Sequence, residues 1–229
     1  MRHVNYDLWL NLIRKVAQRH LPERNVSSFE LGCGTGSLGV KLMLDGFDYV
    51  VSDLSFDMAE QAARKDLRVC CADARHLPVC GPFDMAIFLY DGINYMETLE
   101  EYTTVFSGIH SILSEGGCFL FDITTEANSL ENFYDIFDSE NFENLTYVRH
   151  SWYDSEKRSQ FNDFTFFTRQ NGACFNKQYE HHKQQVFSPE EISAAVPSEL
   201  FSIEGIWNGF TTARYNRRSE RIHFLLKRR

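Results

Sequence analysis

Between residues 3 and 20, apolar side chains recur every four positions at Val4, Leu8, Leu12 and Val16, with Trp9 and Ile13 alongside. That spacing predicts one apolar face of a helix, closed by Pro22. A strand over 26–33 then enters a glycine-rich turn, and a helix over 37–45 leaves it. Tyr49 to Asp53 reads as a second short strand, followed by an alanine-rich helix through Met58, Ala59, Ala62 and Ala63. Further strands are expected at 68–73, 83–90 and 118–123. Between the last two, Leu99, Tyr102, Val105, Phe106, Ile109, Ile112 and Leu113 repeat at helical spacing, stopped by Gly116-Gly117. Strands too apolar to leave one face in water, alternating with helices, indicate a parallel sheet covered on both sides.

After Thr125 the texture changes. Three stretches, 145–153, 158–170 and 174–187, are rich in Phe, Tyr, Thr and Val, and they are separated by Asp154-Ser155-Glu156 and by Asn171-Gly172. Both separators are turn chemistry, so a three-stranded antiparallel meander is expected. Ser188-Pro189 opens a short helix, with serine as cap and proline in the first turn. Strands near 201–208 and 221–227 complete the main sheet. The expected fold is α/β, a doubly wound, mostly parallel seven-stranded sheet with an antiparallel β-meander inserted between strands five and six. On this reading 1–125 and 188–229 form the main domain, and 126–187 is the insertion.

Composition narrows the picture. The 229 residues suit one domain with an elaboration. No apolar stretch approaches the length of a membrane helix, and the N-terminal pattern, with Arg14, Lys15 and Arg19, is not a secretory signal. The six cysteines include no C-x-x-C pair, so a reduced, cytoplasmic chain without structural zinc is expected. The net charge of −9 is uneven: from Arg214 onward seven basic residues face one acid, Glu220. Gripping a nucleic-acid backbone takes a broad basic face. Here the rest of the chain is acidic, so the basic run reads as a solvated last hairpin, with contact to an anionic substrate or partner as the alternative. Neither a nucleic acid nor a membrane is expected as partner.

The candidate chemistry starts at Glu30-Leu31-Gly32-Cys33-Gly34-Thr35-Gly36, between a strand and a helix. Glycines there permit positive φ and let a ligand approach the backbone. The same segment contains Gly34-x-Gly36-x-x-Gly39, the dinucleotide fingerprint, with Asp53 about where a ribose-binding acid of an NAD enzyme would sit. The loop alone leaves both cofactors open. Three features separate them: a long helix precedes the first strand, Glu30 sits where dinucleotide folds prefer an apolar residue, and a second acid, Asp73, follows Asp53 by 20 residues.

Through Glu30-Leu-Gly-Cys-Gly-Thr-Gly36, Asp53-Leu-Ser with Met58, and Asp73-Ala74, the chain resembles the class I methyltransferase family. The resemblance implies S-adenosylmethionine as cofactor. Gly32, Cys33, Gly34 and Gly36 would face its methionine part, Asp53 would hold the ribose hydroxyls, and Glu30 would belong to the same cofactor site. Asp73 would meet the adenine amino group, while Leu54, Met58 and Ala74 line the ring. Leu89 and Tyr90 would close the cofactor side. A carboxylate suits a vicinal diol and an exocyclic amine equally well, since both offer donors. Phe83-Asp84, the run Tyr90-Asp-Gly-Ile-Asn-Tyr95, Phe121-Asp-Ile-Thr124, Trp152 and Glu180-x-His182 are similar to a bacterial small-molecule subgroup that includes sugar-amine N-methyltransferases. That subgroup implies a small polar metabolite methylated on N or O. An RNA methyltransferase and a non-catalytic cofactor-binding module are the competing readings. The usual proline before the last glycine pair is Glu115 here, and the short start implies an abbreviated N-terminal lid.

Methyl transfer is an in-line displacement that needs orientation and exclusion of water, with a base optional. His182 is the candidate general base, oriented by Glu180, with a structural histidine as the alternative, and Asp91 is the second catalytic candidate, with a loop-capping carboxylate as the alternative. Tyr6, Asn94, Tyr95, Trp152, Tyr179 and Glu180 are candidate substrate contacts, with core packing as the alternative for Trp152. Alternation sends His182 and Glu180 to one face of their strand, and His181 and Tyr179 to the other. Two histidines and an acid lack a third ligand at credible spacing, so no metal is expected. The meander is expected to roof the acceptor pocket or to build a homodimer interface.

Overall fold

A computed structural model describes residues 5–21, 25–170 and 174–229. Val4, Pro22 and the Asn171-Gly172 turn lie outside the described residues. The chain opens with α1 (Tyr6–His20), whose Asn5 side chain caps Asp7 N–H. The alternating half follows: β1 (Ser27–Leu31), α2 (Ser37–Leu44), β2 (Asp48–Asp53), α3 (Phe56–Ala63), β3 (Arg68–Cys71), β4 (Phe83–Phe88), a 3-10 turn at Gly92–Tyr95, α4 (Leu99–Ile112) and β5 (Leu113–Thr124). Then come α5 (Glu126–Asn132), β6 (Asp135–Asn141), β7 (Leu145–Asp154), β8 (Ser159–Arg169), β9 (Phe175–Gln185), α6 (Pro189–Ala195), β10 (Phe201–Asn208) and β11 (Arg221–Arg228).

The main sheet has seven strands in the order β10-β11-β5-β4-β1-β2-β3, with β11 antiparallel to β5 and to β10. This is the expected fold class. β4 is buried at every position, as a strand covered on both faces must be. One core layer packs α4 and α6 on one side of the sheet through Tyr102, Phe106, Phe119, Phe121 and Phe224. The other packs α1 and α2 through Trp9, Ile13, Leu42, Met85 and Leu225. The face of α1 differs from its expected stripe: Leu8 is exposed, whereas Leu10 and Ala17 are buried. Helix α4 ends before the glycine pair, which instead lies in a bulge of β5, with Gly116 at φ +71°.

The insertion is a four-stranded antiparallel sheet, β6-β7-β8-β9, with one strand more than expected. The missed strand β6 reads Asp-Ile-Phe-Asp-Ser-Glu-Asn, an acidic edge strand whose residues carry little β signal. Strand register sorts the sheet into two faces. Paired positions Trp152, Phe161 and Lys183 share one face, and Ser151, Asn162 and His182 the other. The second face packs on α5, where Ser129 Oγ donates to Gln160 Oε1 at 2.9 Å, and it meets the main domain through Gln184 Nε2, which donates to Asp91 Oδ2 at 2.7 Å.

Candidate active site

The site grows from the C-terminal edge of the parallel strands, where α/β sheets present ligand crevices. At the end of β1 the backbone enters the left-handed region at Gly32, Gly34 and Gly36, with φ of +62°, +55° and +74°. A Cβ on Gly36 would fall 2.5 Å from Leu67 Cδ1, whereas one on Gly34 would meet nothing within 4 Å. Gly36 is therefore small because protein packs against it. Gly34 borders open space, as a ligand cradle requires. Asp53, at the end of β2, holds that turn: Oδ2 accepts from Gly34 N–H at 2.7 Å, and Oδ1 from Ser55 N–H at 2.9 Å. Beside it Leu54, Phe56 and Met58 expose apolar surface, which suits the face of a planar ring.

Beneath the turn Glu30 is 4% exposed, and its Oε2 has no hydrogen-bond partner. Burial pushes its carboxyl up to about 8. A buried carboxyl beside Tyr49 with one oxygen unpartnered, and an open glycine cradle, are what an amino-acid moiety carrying an ammonium group would complement, so these residues fit the expected cofactor. Cys33 and Leu89 are buried core residues, and Ala74 is half-buried. Asp73 is tied to Arg75 by Nε at 3.0 Å and Nη2 at 2.6 Å, and Arg75 reaches on to Glu101. The guanidinium holds the Asp73 carboxyl below the usual range. Both of its oxygens are engaged, which leaves limited capacity for an adenine amine.

The candidate acceptor side lies where the main domain meets the inner face of β9. Tyr95 OH and His182 Nδ1 stand 2.9 Å apart, and His182 Nε2 lies 3.4 Å from Glu180 Oε2. A carboxylate only accepts, so Nε2 carries the hydrogen, and in the neutral ring Nδ1 accepts the tyrosine O–H. In that form the lone pair expected to serve as general base is engaged by Tyr95. Burial, with the nearby charges of Asp91, Asp53 and Glu180, pushes the Tyr95 phenol up to about 12. Tyr90 is half exposed at the same edge, and Tyr6 lies close enough to Ser37 to bond it.

Four expectations for the acceptor side are corrected by the structure. Asn94 is fully buried, accepting from Thr124 N–H at 3.0 Å and donating to Gln185 O at 2.9 Å, so it ties strands together. Tyr179, 59% exposed, lies on the outer face of the meander. Trp152 shares that face, stacked between His150 and Phe161 at 4.8 and 5.0 Å between centroids. Asp91 is no free base: its carboxylate accepts from Arg221 Nη2 and Gln184 Nε2, each at 2.7 Å. Burial raises the Asp91 carboxyl, an effect that Arg221 opposes.

The basic run is not wholly solvated either. Arg221 enters this site and also binds the fully buried Asp122, and Arg228 donates to Leu113 O. Sequence reasoning missed Arg221, because a lone arginine heading an apolar strand inside a charge run carries no signature. His223, two residues on, is fully buried with neither ring nitrogen partnered. Burial, with Arg221 nearby, lowers it to about 4 and keeps it neutral.

Residues 29–117, which span the glycine turn, Asp53, Asp73 and Asp91, match the methyltransferase domain family. The chain carries a methyltransferase domain. YqeM of Bacillus subtilis (strain 168), which bears a methyltransferase name, is 28% identical over 98% of this chain and 91% of its own. Among solved structures, an S-adenosylmethionine-dependent methyltransferase from Clostridium acetobutylicum ATCC 824 superimposes with TM-score 0.84 at 22% identity, covering 99% of this chain and 93% of that one. The sugar N-methyltransferase KedS8 from Streptoalloteichus sp ATCC 53650 gives 0.80 at 20% identity, covering 100% and 90%. At these identities the two structures establish the fold. The expectation of a class I methyltransferase is met in the domain and in the sheet topology. The glycine turn and Asp53 form one half of the candidate site, and the Tyr95–His182–Glu180 chain borders the other. Among the described residues no helix is long and apolar enough to cross a membrane.

Proposed function

We propose that this protein transfers a methyl group from S-adenosylmethionine to nitrogen or oxygen of a small polar metabolite, held between the sheet edge and the inner face of the meander. The observation that carries this reading is the approach of β9 to the sheet edge. Tyr95 bonds His182, and Gln184 bonds Asp91, across more than 85 residues of sequence. A roof that close suits an acceptor of metabolite size. Commitment of Arg221 and Arg228 to internal contacts further favours a small acceptor over a nucleic acid. KedS8 is by its name a sugar N-methyltransferase, and its likeness to this chain is consistent with a polar acceptor.

When bound, S-adenosylmethionine supplies an electrophilic methyl group on a positively charged sulfur. The chain's residues do the rest. Asp53 and the glycine turn orient one end of the cofactor, and the meander excludes water. Because His182 already accepts from Tyr95, a proton leaving the acceptor passes to His182 through the Tyr95 hydroxyl, and Glu180 stabilises the imidazolium.

Calorimetry should show saturable binding of S-adenosylmethionine and none of NADH at millimolar levels. Methyl-labelled S-adenosylmethionine offered with a metabolite extract and with RNA should label a small polar compound. Label in RNA alone would overturn the acceptor class, and saturation by NADH would overturn the cofactor. With the labelled acceptor, Tyr95→Phe and His182→Ala should each lower kcat by about 10²–10⁴ while cofactor affinity stays within a few-fold. Full turnover in both folded variants would remove the proton chain.

A further inference from the structure

The turn after β4 holds two consecutive non-glycine residues in the left-handed region, Tyr90 at φ +65° and Asp91 at φ +53°. Left-handed backbone is costly for such residues and persists only where the surroundings enforce it. One side chain contacts every part of that turn. Arg221 Nη2 donates to Asp91 Oδ1 at 2.7 Å, and Nη1 donates to Asp122 Oδ2. Asp122 Oδ2 also accepts the Asp91 N–H at 3.1 Å, so both the backbone and the carboxylate of Asp91 are held through the same pair. The guanidinium carbon stands 5.2 Å from the Tyr90 ring centroid and 5.5 Å from that of Trp9 on α1. Those two rings lie 6.0 Å apart. From the meander side, Gln184 Nε2 donates to Asp91 Oδ2 at 2.7 Å and to Asp91 O at 3.2 Å. Three elements distant in sequence thus converge on one guanidinium of β11: α1, the β4 turn and β5.

We propose that Arg221 is a positioning residue of the active site. It holds the Tyr90–Asp91 turn and the first turns of α1 in the arrangement that receives the methionine end of the cofactor. The inference rests on the methyltransferase reading above. Its physical basis is the forked shape of the guanidinium. Two carboxylates on different strands are bridged at fixed geometry while the flat faces lie against aromatic rings, and a lysine ammonium would supply the charge without the fork. The adenosine end is held elsewhere, beside Asp53, Leu54 and Met58, so its grip should not depend on Arg221.

That separation gives a test that a purely structural ion pair would not pass. Three proteins are compared: wild type, Arg221→Lys, and the double variant Arg221→Met/Asp122→Asn. In the double variant both ends of the most buried pair are neutral, so no carboxylate is stranded at Asp122, and asparagine still accepts the Asp91 N–H. Each is measured for melting temperature and, by calorimetry, for affinity toward S-adenosylmethionine and toward 5′-methylthioadenosine, which lacks the amino-acid arm. Wild type binding neither ligand overturns the cofactor reading itself. If wild type binds both, Arg221→Lys and the double variant should bind S-adenosylmethionine about tenfold more weakly, the worth of one lost charge-assisted contact. Affinity for 5′-methylthioadenosine should stay within twofold. Arg221→Lys alone decides the question if the double variant does not fold. Equal loss for both ligands, or no loss for either in a folded variant, overturns the proposal.

Discussion

Glu30 makes the protein's stability depend on pH in a direction opposite to that of most carboxylates. It is 4% exposed, with Oε2 unpartnered, and burial raises its carboxyl from the ordinary 4.5 to about 8. A displacement of that size separates its two protonation states by roughly 5 kcal/mol. The folded value lies above the unfolded one, so the unfolded chain releases this proton first. The contribution is whole below pH 4.5, declines as pH rises, and is lost by the time pH passes 8. By linkage, about 3 kcal/mol should be gone at pH 7 and roughly 5 by pH 9. Glu30→Gln keeps the shape and cannot ionise, so it should escape the decline. Urea denaturation of the cofactor-free protein at pH 5, 7 and 9 should show variant and wild type drawing apart in the variant's favour as pH rises, by about 3 kcal/mol or more between pH 5 and 9. Parallel curves over that range would mean that Glu30 ionises freely, and the account of its burial would be wrong.

Asp53→Ala should weaken S-adenosylmethionine binding at least tenfold, because ribose contacts and the bond shaping the Gly34 turn are lost together, each worth about 1.5–3 kcal/mol. Calorimetry checks this, and unchanged affinity in a folded variant would take Asp53 out of the site. Gly36→Ala should lower stability by about 1–3 kcal/mol in thermal melts, since its φ is +74° and the new Cβ would crowd Leu67 and Ala62. Gly34→Ala meets no protein atom, so a melting temperature below that of Gly36→Ala would contradict the assignment of its open side to a ligand.

Much of the fold was legible from local pattern. The alternation of apolar strands with amphipathic helices anticipates the parallel sheet, and β10 and β11 fall where Phe and Leu recur near the end of the chain. Glycines at positive φ and a carboxylate at the end of β2 are a local signature, because the turn and the residue that holds it lie only 19 positions apart. Strand β6 escaped notice because an edge strand can be built from acids without apolar alternation.

Sequence by itself determined the elements of the main sheet, their order, and the sorting of β9 into two faces. Those properties follow from periodicity and turn chemistry, which act over a few residues. Which face of β9 turns inward was decided only by tertiary packing, and with it the departure of Tyr179 and Trp152 from the site. The same holds for the pairing of Tyr95 with His182 and of Arg221 with Asp91, 87 and 130 residues apart. A charged side chain on a strand is equally compatible with water and with a buried counter-ion. Only the fold brings Asp91 and Asp122 together in a space from which water is largely excluded, where one guanidinium must balance both.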